Sequence, residues 1–384
     1  MYGSAVTTAA IAGAHETPYA RHPPDGTDTT GIVAAAVAGA LADAGIDHGA
    51  VDGLGVASFS LVPDHAIDLA WRLGLRVRWL MDDANGGASA VNMLQHAVRA
   101  IEAADAETIV LCAGDHLDRA AFRRLVEEYN RATAEHLTPL GYAGPNALFA
   151  MVTQRWLAAR DLDRAALGAI PVAQRGWASG NPGAVYRDPL TLEDYLASPF
   201  VAEPLTRYDC VPVVTGADAI DVTASPAGGR PHVRVRAIAA LHNPDHQQGD
   251  GFGEGFTDVA SRLWPLAGVR PEDVGAAFLY DDYPVMVAVQ AEELGIVPGG
   301  DVARWLQADV LEARWPLNTS GGQLSAGQAG AAGGMHGMVE AVRQLRGDAT
   351  GRQADASLAL VAGYGMVLMR HGACHNAAVL ERVG

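Results

Sequence analysis

A phenol at the end of a buried strand and two glycine loops that open helices are the groups in this chain best able to do chemistry. Tyr280 follows the apolar run Ala276-Ala277-Phe278-Leu279 and precedes Asp281, Asp282 and Tyr283, after which Val285 to Leu294 reads as a helix. Polar groups at the C-terminal end of a strand, facing a helix start, are a usual place for an active site. A tyrosine serves as general acid or base when its surroundings lower its pKa from the ordinary ~10. The first loop, Asn85-Gly86-Gly87-Ala88-Ser89, opens a helix that runs to Ile101. The second begins at Asn318, carries Gly321, Gly322, Gly327, Gln328, Gly330, Gly333 and Gly334, and leads through His336 into a helical pattern from Gly337 to Leu345. Loops of this kind collect backbone amides and the positive end of a helix dipole. That suits phosphate, or the oxyanion of acyl or enolate chemistry. The plainer alternative is that the glycines only let two central helices pack closely.

The remaining candidates are weaker. Tyr283 and Tyr280 can also be read as half-buried aromatics, and Asp281 and Asp282 as caps of the following helix or partners of an arginine. His336 lies one turn into its helix, where a satisfied core histidine competes with a base; His96 and His116 offer less. The cluster His242-Asn243-Pro244-Asp245-His246 has no metal-ligand spacing and reads as a loop. Met369 to His375 sets Cys374 beside histidines, past the last expected strand. Ser89 reads as a helix N-cap.

These groups need a large scaffold, and 384 residues with 49% hydrophobic and 18% charged side chains supply one. The net charge of −17 argues against binding a nucleic-acid backbone. The first six residues lack the basic segment and apolar core of a signal peptide, and no stretch approaches a membrane span. Cys112, Cys210 and Cys374 are odd in number and widely spaced. They form neither a disulfide framework nor a metal motif, so a reducing cytoplasm is expected.

The scaffold carries an internal duplication. A helical pattern from Val33 to Leu41, Ala44-Gly45-Ile46, and the run Leu54-Gly55-Val56-Ala57 recur as a second helical pattern, Ala267-Gly268-Val269 and Ala276 to Leu279. A constant offset of 223 residues separates Ala44 from Ala267 and Val51 from Val274. Each glycine loop with its helix is likewise followed by a strand, Thr108 to Cys112 in the first half and Ser357 to Val361 in the second. The halves divide in the turn-rich segment Ala224 to Pro231, giving units of 1–226 and 227–384, with about 117–205 an insertion over the site. Alternating strands and helices imply an α/β protein with mixed, largely parallel sheets.

The loop from Asn318 to Gly334 resembles the C-terminal signature of thiolases, Asn-x-x-Gly-Gly-x-x-x-x-Gly-His-Pro-x-Gly-Ala-x-Gly, in a single register. It departs at Gln328, where the thiolase histidine belongs. Gly321-Gly322-Gln323-Leu324, Gly327-Gln328 and Gly333-Gly334-Met335-His336 are similar to the branch of sterol-carrier-type thiolases that lacks the catalytic cysteines, which includes the lipid-transfer-protein-type steroid aldolases. The resemblance spans nearly the whole chain. It implies the thiolase fold, two duplicated halves in an αβαβα layering, usually as a dimer. It places Gly87 where the nucleophilic cysteine belongs, Ala362 where the second cysteine belongs, and Tyr280 at the substrate-facing first position of the Asn-Glu-Ala-Phe box, as in the Tyr-Asp-Cys-Tyr form of the aldolase branch. Tyr283 takes the place of that box's phenylalanine. A tyrosine that relatives carry in Gly-Gly-Gln-Leu-Gly-Tyr-Gly falls on Ala326, which leaves Tyr364 as its substitute or as a plain turn residue.

The resemblance thus implies aldol chemistry on a β-hydroxyacyl-CoA, with no covalent nucleophile and no cofactor beyond the coenzyme A of the substrate. Tyr280, Tyr364 and His336 would be the catalytic candidates. Gly86, Gly87, Asn318, Gly321, Gly322 and Gln328 would line the oxyanion and substrate site. It also implies a partner, a small zinc-ribbon and OB-fold protein in an α2β2 assembly. The competing readings are a non-catalytic scaffold, supported by Ala326, and an acyltransferase using Ser89 or Cys374.

Overall fold

A computed structural model describes residues 9–127, 131–141, 144–226, 231–244, 255–368 and 371–383. Residues 227–230 of the expected boundary segment, Asp245 and His246 of the histidine cluster, Met369 and Arg370, and the first eight residues lie outside the described residues.

The first half runs β1 (Ala10–Glu16), α1 (Thr29–Ala44), β2 (Gly53–Ala57), α2 (His65–Arg72), β3 (Trp79–Asp82), α3 (Ser89–Glu102) and β4 (Thr108–Asp115). The insertion follows as α4 (Arg119–Glu127), α5 (Pro145–Ala159), α6 (Arg164–Ser179), α7 (Leu192–Ala197) and the small pair β5 (Phe200–Ala202) and β6 (Leu205–Thr206), before β7 (Gly216–Thr223) closes the half. The second half runs β8 (His232–His242), α8 (Phe256–Ala267), β9 (Ala276–Leu279), α9 (Pro284–Glu293), α10 (Val302–Arg304), α11 (Gly322–Ala326), α12 (Gly333–Arg346), β10 (Leu358–Leu368) and β11 (His371–Val383).

Local chemistry sets these boundaries. Asp28 caps α1 by accepting from the Gly31 amide at 2.8 Å, and Gly45 ends the helix in the left-handed conformation. In α3, Ser89 to Leu94 are all buried, and in α12 nearly all of Gly333 to Leu345. These two helices are buried along most of their length although α12 carries His336, Glu340 and Gln344, and they pack against each other and against strands of both halves.

The strands follow the order β3-β2-β4-β7-β1-β8-β11-β10-β9. The duplication is written in the pairing. β1-β7-β4-β2 pairs antiparallel, antiparallel, parallel. β8-β11-β10-β9 pairs antiparallel, antiparallel, parallel. Where β3 continues the first series, a single parallel bridge from Ala277 to Leu317 continues the second. The halves meet where β1 pairs with β8 through Ala10 and Ile11. The sheet is mixed but not largely parallel. β7 and β11 each return antiparallel between a half's opening strand and its inner strand, which the alternation of strands and helices did not reveal.

Candidate active site

The strand β9 and the two glycine loops bring their functional groups together above the sheet. Tyr280 stands at the end of β9, held from behind by a residue of α9. Its amide donates to Gln290 Oε1 at 3.1 Å, and its carbonyl accepts from Gln290 Nε2 at 2.7 Å. Gln290 is fully buried in an otherwise apolar stretch, Val285 to Ala291. That lone amide was the signal in the sequence for a group with a backbone to hold.

The ring of Tyr280 lies over the first loop. A Cβ built on Gly87 would stand 2.2 and 2.3 Å from two ring carbons of Tyr280 and 2.4 Å from the Tyr364 carbonyl. Tyr364 comes from β10, with its ring 6.0 Å from that of Tyr280. Gln328 donates to the Tyr280 hydroxyl at 3.1 Å. The same amide nitrogen reaches Gln323 Oε1 at 3.1 Å, and Gln323 in turn donates to the buried Asp281 at 3.2 Å. A polar chain therefore runs from Asp281 through Gln323 and Gln328 to the phenol. Gly86 and Gly87 open a 3₁₀ turn ahead of α3, so their amides lack acceptors within it.

A cleft of about 300 Å³ opens on these groups. Gly86, Gly87, Tyr280, Tyr364 and Gln328 line it, while Phe59, Phe122, Val126 and Val367 supply apolar wall. Tyr283 also borders it. Its ring stacks on Phe149 at 4.2 Å and its hydroxyl donates to Asn146 at 2.5 Å, so it packs as the sequence suggested and is hydrogen-bonded as well.

Four other expected site residues stand elsewhere. Gly321 and Gly322 face α6 and Asp281. A Cβ on Gly321 would meet Ala178 at 2.5 Å, and one on Gly322 would meet an Asp281 oxygen at 2.0 Å. The Gly321 amide donates to the Asn318 carbonyl at 2.9 Å and that of Gly322 to Ser320 Oγ at 3.2 Å. Asp281 takes the next amides, Gln323 at 3.1 Å and Leu324 at 3.4 Å. The amides of this loop are thus taken within the protein, those of Gly321 and Gly322 by Asn318 and Ser320 and those of Gln323 and Leu324 by Asp281. Asp281 caps α11 across the molecule rather than the helix that follows it, and the N-cap of α9 has no side-chain bond. Asn318 faces β9, where its side chain accepts from the Leu279 amide at 2.8 Å and donates to the Leu279 carbonyl at 3.0 Å.

His336 is buried behind the cleft, with Nδ1 2.6 Å from Glu16 and Nε2 2.7 Å from Ser320 Oγ. Burial opposes both charges, but the pair overrides it. Glu16 is brought down to about 2 by His336 and Arg343, and His336 is raised to about 9 by Glu16 and Asp218. Such an imidazolium holds β1 to α12. Glu16 adds stability above its ordinary 4.5 that is lost as pH falls toward 2. His336 adds stability that is full below 6.5 and lost as pH rises through 9. We therefore expect the urea midpoint to fall between pH 6.5 and 9, by up to ~3 kcal/mol in unfolding free energy, and His336→Gln to flatten that limb. An equal alkaline decline in the variant would assign it to other groups.

The substitute nucleophiles are also out of reach. Ser89 continues the helix from an Ala88 N-cap and is fully buried, so it is neither a cap nor a cleft residue. Cys374 is buried with its thiol pushed up to about 11, and Cys210, which does border the cleft, to about 12, in both cases by burial first. His116 Nδ1 bonds Thr215 Oγ1 at 2.9 Å, and neither it nor His96 lines the cleft.

Paired helix-opening loops meeting between two duplicated halves define a thiolase-type fold. Comparison with known proteins agrees. Residues 239–381 match the family described as thiolase C-terminal domain-like. The chain is similar to the 17-hydroxy-3-oxo-4-pregnene-20-carboxyl-CoA lyase of Mycobacterium tuberculosis, with 32% identity over 93% of this chain and 97% of that one. It is also similar to the steroid side-chain-cleaving aldolase of Thermomonospora curvata, with 30% identity over 93% and 95%. The solved Ltp2-ChsH2(DUF35) aldolase superposes with a TM-score of 0.83 at 28% identity, over 98% of both chains. The chain belongs to the thiolase superfamily, in the branch of the steroid side-chain-cleaving aldolases.

Proposed function

We propose that this protein makes or breaks a carbon–carbon bond of a β-hydroxyacyl-CoA thioester by aldol chemistry, without a cysteine acyl-enzyme. Relatives that share nearly its full length are named as a lyase and an aldolase. The observation that carries the reading is the Tyr280 ring lying on Gly87, in the place of the thiolase nucleophile.

In the cleavage direction a base takes the β-hydroxyl proton and that oxygen becomes a carbonyl. The Cα–Cβ bond breaks, its electron pair passes to the thioester as an enolate, and a proton returned to Cα completes the shorter acyl-CoA. Tyr280 is the proton-transfer group, oriented by Gln328, and Tyr364 beside it is the second phenol that Ala326 fails to supply. The Gly86 and Gly87 amides are the donors for the enolate oxygen, a role the capped second loop cannot share. The reaction as written needs no cofactor beyond the coenzyme A of the substrate.

Changing Cys112, Cys210 and Cys374 together to serine or alanine should leave turnover of a β-hydroxyacyl-CoA within a few-fold. Assay by release of an aldehyde or ketone with a shorter acyl-CoA checks this, and a folded but dead triple variant would restore a thiol mechanism.

Two partners accompany the reading. A second copy fits the edge strand β3, which among the described residues pairs only with β2. Val62, Ile67 and Trp71 lie exposed nearby, Trp71 by 77%. A small zinc-ribbon and OB-fold protein, completing an α2β2 assembly, is supported by the ChsH2(DUF35) component named with the solved aldolase. Among the described residues no helix is long and apolar enough to cross a membrane, and the three cysteines are free, which supports a cytoplasmic location.

A further inference from the structure

The box Tyr280-Asp281-Asp282-Tyr283 carries one group that the proposed mechanism does not use. Asp282 borders the same cleft as Tyr280. Its Oδ1 is fully buried and has no hydrogen-bond partner. The described lining contains no arginine, lysine or histidine that could neutralise a carboxylate. Burial first, and the neighbouring Asp281 second, push this carboxyl well above the usual carboxylate range, with the Tyr283 and Asp282 amides opposing only in part. The neutral form that this environment favours can donate one hydrogen bond and accept others. Leaving a buried polar group unmatched is unfavourable; Tyr283 beside it is already satisfied by Asn146, so a bound molecule is what can match the part of the Asp282 carboxyl that borders the cleft.

We infer that Asp282 is a specificity-determining residue, which selects substrates whose acyl portion carries a hydroxyl or carbonyl oxygen at the point where it passes Asp282 in the cleft. A wholly hydrocarbon chain would cover the carboxyl and leave it unmatched. An oxygenated chain would accept its proton. A site built to hydrogen-bond a substrate group discriminates strongly against an analogue lacking it. The inference rests on the proposed use of this cleft for the acyl chain.

The test uses the full chain and pairs of aldehydes of one carbon skeleton, unsubstituted and hydroxylated at successive positions. Each pair is read in two ways, by kcat/KM in aldol addition to propionyl-CoA, and by Kd from displacement of a fluorescent apolar dye with no thioester present. The wild type is expected to prefer the hydroxylated member of at least one pair by about 10-fold or more in both readings. Asp282→Val and Asp282→Cys should lose that preference, and Asp282→Asn, which keeps a donor and an acceptor, should retain most of it. A preference unchanged in Asp282→Val, or no preference in the wild type at any position, overturns the inference. Wild-type binding with the expected preference but no turnover of any pair would count against the proposed reaction and for the role of Asp282, so the two failures remain distinct. If Asp282→Val fails to fold, Asp282→Ala gives the same comparison, since it too removes both donor and acceptor.

Discussion

Tyr280→Phe is expected to lower turnover by roughly 10²–10⁴-fold, the usual worth of a positioned acid or base, while the protein stays folded. The change removes one oxygen. The ring, its contact with Gly87 and the two backbone bonds to Gln290 all remain. Gln328 loses one acceptor but keeps its bond to Gln323, so the stability change should be about 1 kcal/mol or less. Tyr283→Phe removes a hydroxyl whose partner is Asn146 and should be far milder. Tyr364→Phe decides whether the second phenol takes part in the proton transfer. Steady-state rates on a β-hydroxyacyl-CoA, with melting temperatures beside them, check all three. Full turnover in Tyr280→Phe together with a dead Tyr364→Phe would move the chemistry to β10 and remove Tyr280 from its central place.

Gly87→Ala is expected to be nearly as severe, on the order of 10²-fold in turnover, the range seen when an oxyanion donor is lost, and for a different physical reason. A single methyl group at this position meets the Tyr280 ring at 2.2 Å and the Tyr364 carbonyl at 2.4 Å, with the helix α3 fixed behind it. The ring must swing away, taking its hydroxyl off Gln328, or the loop must retreat and carry the Gly86 and Gly87 amides with it. Overpacking of this kind costs about 1–3 kcal/mol in stability. Gly176→Ala is the matched control, since a Cβ there has nothing within 4 Å. Unchanged rates in a folded Gly87→Ala protein would mean that ring and loop are not in contact during turnover.

What was legible in the sequence was local. The glycine loops announced turns and close approach ahead of helices because glycine is unfavourable inside regular structure, and Tyr280 stood out because it ends a short apolar run. The duplication showed in the spacing of Ala44 and Ala267 before it showed in the strand pairing. What was not legible depended on partners far along the chain. Nothing near His336 marks Glu16, 320 residues away, as the carboxylate that holds it charged. Nothing near Gly322 says that Asp281, 42 residues before Gln323, accepts from the Gln323 and Leu324 amides next along the loop. The second loop therefore looked like an oxyanion site and is a capped, structural turn. The antiparallel return of β7 and β11 was hidden for a related reason, since strand direction follows from where the chain crosses the sheet and not from the composition of the strand.

The contact between Gly87 and Tyr280 also bears on how such a protein can change over generations. A cysteine at position 87 needs its Cβ where the Tyr280 ring already is, so a Gly87→Cys change brings in a thiol only by displacing the phenol or the loop. On the proposed mechanism, either order of substitution then passes through a protein of much reduced turnover. A covalent and a non-covalent way of cleaving beside a thioester would thus be separated by a step that lowers activity, which tends to hold the descendants of such a site to the non-covalent side.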